Sequence, residues 1–240
     1  MENEFVDKYS PYLIEIRKRI LFTLSLFAVG MLVGFVFYER IIKFLINILN
    51  LSSVNIVFTS PFQFINLAIS CGLATGLALV LPLLIFQILS FLRPALKVKE
   101  FRMLVRFLPF SIILFIIGFS FGMLVMKWQI DLFLAKSVSL GIGNVLDISR
   151  LISTVLLVSV LMGVAFQLPV VILLLSRLGV VNHKQLANQR LWVYLGALLF
   201  TILLPLESVL ADALLALPLI LLFEITLLLS RFFGKKDQAD

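Results

Sequence analysis

The sequence predicts an all-α membrane protein of six transmembrane helices, with both termini cytoplasmic, arranged as a curved bundle with a concave face. Three observations carry this. The 240 residues are 62% hydrophobic and only 14% charged, with a mean hydropathy of +1.15, more apolar surface than one soluble core of this length can hide. Six apolar runs, at 20–38, 68–92, 107–126, 151–176, 192–204 and 209–229, reach or approach the length that crosses about 30 Å of hydrocarbon. Finally, fifteen of the twenty Lys and Arg residues precede the first run, follow the second and fourth, or end the chain; the other five are Arg40, Lys43, Lys127, Lys136 and Arg150. The positive-inside rule places the richer side in the cytoplasm, so the net charge of +7 reflects topology and needs no nucleic acid.

Residues 1–19 place Tyr12, Leu13, Ile16 and Ile20 on one stripe and Glu15, Lys18 and Arg19 on another, an amphipathic cytoplasmic segment expected to run into the first span. Four acids and no apolar core before Ile20 argue against a cleaved signal peptide, so the first span is expected to be retained. Ile41, Ile42, Phe44, Leu45, Ile48 and Leu49 form a second amphipathic helix, Val54 to Phe58 read as extended, and Ser60-Pro61 turns the chain. In the next outer loop Trp128 is an interface anchor, Gly141 and Gly143 give flexibility, and Asp147 is an N-cap before Leu151. Pro82, Pro109, Pro169 and Pro218 lie inside spans, where each removes an amide donor and favours a kink. The fifth run is too short for an unperturbed bilayer and predicts a thinned or partner-covered face. Residues 1–240 read as one transmembrane domain, closed by a cytoplasmic tail at 230–240.

The chemistry-bearing residues are few. Gln87, Phe91 and Pro94 share a helical face that ends at a basic loop holding one acid, Glu100. Gln167 lies near mid-bilayer beside the carbonyl freed by Pro169, and a buried unpaired amide costs about 2 to 7 kcal/mol, enough to demand a partner. Glu224 adds an ionisable group to the sixth span, and Glu207 sits in the tight turn between the last two. Cys71 is the only cysteine, which excludes an intrachain disulfide and a cysteine metal cluster. There is no GxxxxGK[ST] or HExxH, and the one histidine, His183, falls in a cytoplasmic loop, so ATP-driven and proteolytic chemistry are disfavoured and no cofactor is expected.

These positions resemble the TatC family, the receptor subunit of the twin-arginine protein translocase, over nearly the whole chain. Tyr12-Leu13-Ile14-Glu15-Ile16-Arg17-Lys18-Arg19 is similar to the family's His-Leu-x-Glu-Leu-Arg-x-Arg. Thr59-Ser60-Pro61 resembles its outer-loop Ser-Pro. Pro82, Gln87, Phe91, Pro94, Leu96 and Glu100 match its cytoplasmic-loop signature, and Gly163, Phe166, Pro169 and Val170 its Gly-x-x-Phe-Glu-x-Pro-Val. Arg190, Pro205 and Phe223-Glu224 also have counterparts. The chain departs from the pattern at Tyr12 for His, at Gln167 for a membrane-embedded Glu, and at Leu204-Pro205-Leu206-Glu207 for Thr-Pro-Pro-Asp.

The resemblance implies a receptor in the bacterial cytoplasmic membrane for the signal peptides of folded proteins, driven by the proton gradient and working with single-span TatA-like and TatB-like proteins. It implies a peptide site at Glu15, Glu100, Arg17, Phe91 and Gln87, and an intramembrane or partner-facing polar site at Gln167 and Glu207. Two carboxylates suit two guanidinium groups, because each can take the planar fork bidentately. The plainer alternatives stay open: Glu15 pairs with Arg19 at i, i+4, Glu100 offsets nearby basic residues, and Gln167 is satisfied between helices. A secondary transporter or channel for small solutes, with a site at the mid-span prolines and Gln167, is the rival function.

Overall fold

The computed structural model describes residues 2–51, 54–92, 98–141, 145–177, 181, 183–205 and 208–234. The chain enters as α1 (Glu2–Val36), one continuous helix in which the amphipathic segment passes into the first span without a break. Helix α2 (Tyr38–Ile48) lies at the far end, followed by the short strand β1 (Asn55–Val57) and α3 (Gln63–Leu92). Helix α4 (Val98–Ser139) leads to β2 (Val145–Asp147) and α5 (Ile148–Ala165), then α6 (Leu168–Arg177), α7 (His183–Asn188), α8 (Arg190–Ile202) and α9 (Val209–Gly234). Five of these segments are long and apolar enough to span a bilayer, and α8, with 13 residues, is the short sixth. Thirteen residues make about 20 Å of helix, well under the hydrocarbon thickness.

Helix α4 corrects one expectation. The segment from Lys127 onward, expected as an outer loop with Trp128 as its anchor, is helical to Ser139. The reason is a stripe at helical spacing: Ile130 and Ser137 are buried and Leu134 packs on the core, while Trp128 stays 40% exposed. The helix stops near Gly141, whose φ of +67° is the left-handed conformation that glycine adopts without cost.

The core is built around α5. Its span is 67% buried, whereas that of α1 is 11% buried and rests mainly on α3. Leu45, Leu67, Val125, Ile152, Met162 and Leu215 bring α2, α3, α4, α5 and α9 into one apolar cluster. Between spans, lipid is as apolar as leucine, so close packing rather than water exclusion holds helices together. Two glycine seams permit it. Gly30 and Gly34 of α1 face Gly72 and Gly76 of α3, each pair at i, i+4; a Cβ on Gly34 would lie 2.6 Å from the Cys71 carbonyl oxygen and 2.6 Å from Thr75 Oγ1. Across the α4/α5 seam, a Cβ on Gly118 would lie 2.6 Å from the Phe166 ring and 2.7 Å from the Met162 carbonyl oxygen.

The fourth apolar run is not one kinked helix. Gln167 N–H bonds the Val164 carbonyl at 2.9 Å, a tighter turn than the α-helical pattern, and helix resumes at Leu168. Pro169 thereby falls in the first turn of α6, where its missing amide has no intrahelical partner to lose.

An outer cap joins distant segments. Strand β1 pairs in parallel with β2, Asn55 opposite Val145 and Val57 opposite Asp147, a partnership that no local pattern in the chain signals. Asp147 caps α5 by accepting from the Arg150 amide at 3.1 Å, and it also accepts from Thr59 Oγ1 at 2.8 Å and Gln63 Nε2 at 2.7 Å. Partial burial pushes the Asp147 carboxyl up, but the hydrogen bonds from Thr59, the Arg150 amide, Gln63 and the Ser149 amide outweigh it, holding the group below its ordinary value. A depressed carboxyl adds stability above its unfolded pKa and loses it as pH falls through the folded value. Asp147→Ala is therefore expected to cost about 1 kcal/mol at neutral pH, and the gap from the native protein should close on acidification. Thermal unfolding in detergent across pH 7 to about 3 measures this; a gap independent of pH would contradict it.

Candidate functional site

Residues 15, 19 and 23 recur every four positions along α1, so one face of the helix carries Glu15, Arg19 and Thr23 toward the end of α3. The Arg19 guanidinium bridges the two helices: Nη2 meets Glu15 Oε1 at 2.5 Å and Nη1 donates to the Gln87 main-chain carbonyl at 2.5 Å. The Thr23 hydroxyl lies 2.5 Å from Gln87 Oε1 and 2.8 Å from the Arg19 carbonyl, so its single proton is shared between two acceptors. Arg19 is 22% exposed against 45% for Glu15, which leaves the carboxylate open on one side while the guanidinium is mostly covered. Beneath the latch runs an apolar groove of about 490 Å³ walled by Ile20, Leu24, Phe27, Leu77, Val80 and Leu84. The chemistry here is that of a carboxylate holding a planar cation at the rim of an oily slot.

The structure brings Glu15 and Gln87 to one place. Arg17 is exposed on α1 and lies off the face that meets Gln87. Phe91 falls in the last turn of α3 and Glu100 in the first turn of α4, with both side chains outside the described part of the structure. A helix N-terminus carries partial positive charge, which favours a carboxylate at Glu100. Pro94 and Glu207 lie outside the described residues. The sequence marks Arg19 as the i, i+4 neighbour of Glu15, on the polar stripe and in the basic motif, but not as a bridge to α3, and Thr23 was not expected; the repeat of polar residues every fourth position within an apolar stretch was the available signal.

Gln167 is 5% exposed at the α5/α6 break. Its Oε1 accepts from Ser111 Oγ at 2.6 Å, and its Nε2 donates to the Ser111 carbonyl at 3.0 Å, with the Gly163 carbonyl 3.4 Å away. The amide is thus satisfied between α4 and the break. Gln167→Leu strands the Ser111 hydroxyl in an apolar wall and is expected to cost about 1 to 3 kcal/mol. Gln167→Glu should be tolerated, because a carboxylic acid can donate its proton to the carbonyl that Nε2 now serves. Unfolding in detergent, run beside an export assay, checks both variants; equal damage from the two would contradict this assignment.

A third polar cluster fastens α8 to α9. Arg190 Nη2 lies 3.3 Å from Glu224 Oε2, the Tyr194 hydroxyl donates to Glu224 Oε1, and the Tyr194 ring meets Phe223 edge-on at 6.2 Å between centroids. Asp212, in the first turn of α9, has its Oδ1 buried without a hydrogen-bond partner among the described residues. It is not among the residues expected from the sequence, although it and Glu224 are the two acids within the run 209–229.

Comparison with known proteins places these features in a family. The family model for Sec-independent protein translocase protein TatC matches residues 11–218. The translocase protein TatCy of Bacillus subtilis is 29% identical over 238 residues, spanning 95% of this chain and 90% of that protein. TatC of Escherichia coli K12 is 34% identical over 163 residues, covering 68% of this chain and 63% of its own length. A crystal structure of the twin-arginine translocase receptor TatC, in the detergent DDM, superposes with a TM-score of 0.81 at 29% identity, over 91% of this chain and 98% of the other.

Proposed function

Because the chain belongs to the TatC family of Sec-independent protein translocase proteins, we propose that it is the receptor subunit that reads twin-arginine signal peptides at the cytoplasmic ends of α1 and α3. The observation that carries this reading is the Glu15 carboxylate, half open to solvent and already grasping a guanidinium at 2.5 Å on the lip of an apolar groove. A signal peptide offers the same two chemistries in sequence, paired arginines and then an apolar stretch. Glu15 takes one guanidinium and Glu100 the other, while Gln87 and Phe91 shape the rim.

Single-span TatA-like and TatB-like proteins complete the complex, and the proton gradient drives transport. Gln167 and Glu207 are its intramembrane polar contacts; Gln167 reaches a partner helix by exchanging Ser111 for it. The small-solute transporter is set aside, because the relatives are translocase proteins along most of their length. The test is equilibrium binding of a twin-arginine peptide and its Lys-Lys variant to the purified chain in nanodiscs. Lysine lacks the fork, so its peptide should bind at least about tenfold more weakly. Equal affinities would overturn the reading.

A further inference from the structure

Glu15, the open carboxylate of the α1/α3 latch, is not vacant. Arg19 occupies it with the ligand group that a peptide arginine would bring, and the same guanidinium spends its other arm on the Gln87 carbonyl of α3. We infer that Arg19 is a built-in competitor: a resident guanidinium that an incoming peptide arginine must displace from Glu15, so that recognition also releases a polar tie between α1 and α3. This rests on the receptor reading proposed above.

The argument is one of exchange. Arg19 stands one helical turn from Glu15, so its effective concentration there is far above that of any free peptide. Replacing it by a second guanidinium conserves the number and kind of charged hydrogen bonds on Glu15, and the peptide's remaining contacts then decide the outcome. The cost of lifting Arg19 is the same for every ligand, so it weakens all of them by one factor and leaves the preference for arginine over lysine to the contacts that each ligand makes. Displacement also has a structural consequence. The Gln87 carbonyl loses the Arg19 donor, the Thr23 hydroxyl still ties α1 to the Gln87 side chain, and the inner ends of α1 and α3 are freer to part over the apolar groove.

A merely structural latch would behave differently, and Gly34 provides the control. Arg19→Gln removes the competitor together with its α1/α3 tie; Gly34→Ala strains the same helix pair at the Cys71 carbonyl, far along α1 from Glu15, and leaves Arg19 on Glu15. The experiment is equilibrium binding of fluorescent Arg-Arg and Lys-Lys peptides to the native chain and both variants in nanodiscs, each variant first shown to be monodisperse. With Arg19→Gln, the Arg-Arg peptide is expected to bind roughly five- to tenfold more tightly, since one charged contact no longer has to be broken. The Lys-Lys peptide should gain by about the same factor, because the cost of lifting Arg19 from Glu15 is common to both ligands, while Gly34→Ala leaves both affinities within about twofold. Native discrimination with no gain, or weaker binding, in Arg19→Gln would overturn the competitor role and leave the receptor reading standing, as would an equal gain in Gly34→Ala. Absence of discrimination by the native chain would overturn both.

Discussion

Replacing Glu100 by alanine is expected to abolish photocrosslinking between the start of α4 and a twin-arginine peptide while leaving membrane insertion intact. A carboxylate that takes a guanidinium bidentately contributes two charged hydrogen bonds, each worth about 1.5 to 3 kcal/mol, so a loss of a hundredfold or more in occupancy follows from roughly 3 kcal/mol. Glu100 stands at the third position of α4, where a carboxylate also complements the helix dipole by about 0.3 to 1 kcal/mol. Glu100→Gln separates the two roles. It keeps the side-chain length and an acceptor oxygen but removes the charge, and it should lose the crosslink nearly as fully as alanine. Native crosslinking in both variants would remove Glu100 from the peptide site.

The second large effect is expected at the glycine seams. Gly118→Leu would set a Cβ 2.6 Å from the Phe166 ring and 2.7 Å from the Met162 carbonyl oxygen, closer than real contacts permit, and the backbone oxygen cannot swing aside. Overpacking costs about 1 to 3 kcal/mol, and more where backbone must move. Here it also levers α4 from α5, whose span is the most buried of the five, so the variant should unfold at lower denaturant and accumulate poorly. Gly196→Leu is the matched control, because nothing lies within 4 Å of a Cβ added there. Similar unfolding midpoints for the two would refute the close-packing account of the seam.

Spans and caps were legible because their signals are local. The stripe of α2, the run of α1 into its span, the extended segment near Ile56 and the Asp147 cap each follow from residues within one or two turns. What escaped notice depends on partners distant in the chain. Ser111 lies 56 positions from Gln167, and Thr59 lies 88 from Asp147, so nothing local names them. The glycines were visible, yet four-residue spacing does not say which helix will approach. Helix α4 ran past its expected end because Ile130 and Leu134 face the core in a stretch whose interleaved Lys127, Asp131 and Lys136 made it read as loop. At the proposed peptide site, Glu15 and Gln87 stand out separately in the sequence. That Arg19 joins them follows only from how closely α1 and α3 approach, which the glycine seam sets.

The most direct test of two carboxylates reading two guanidinium groups is a set of double-mutant cycles by equilibrium binding. Peptides with both arginines, with either one replaced by glutamine, and with neither would be titrated against the native chain, Glu15→Gln and Glu100→Gln. The account predicts pairwise coupling of about 1 to 3 kcal/mol, with each carboxylate tied to a different arginine, so that losing one partner removes most of the penalty for losing the other. Strictly additive penalties in every cycle would contradict it.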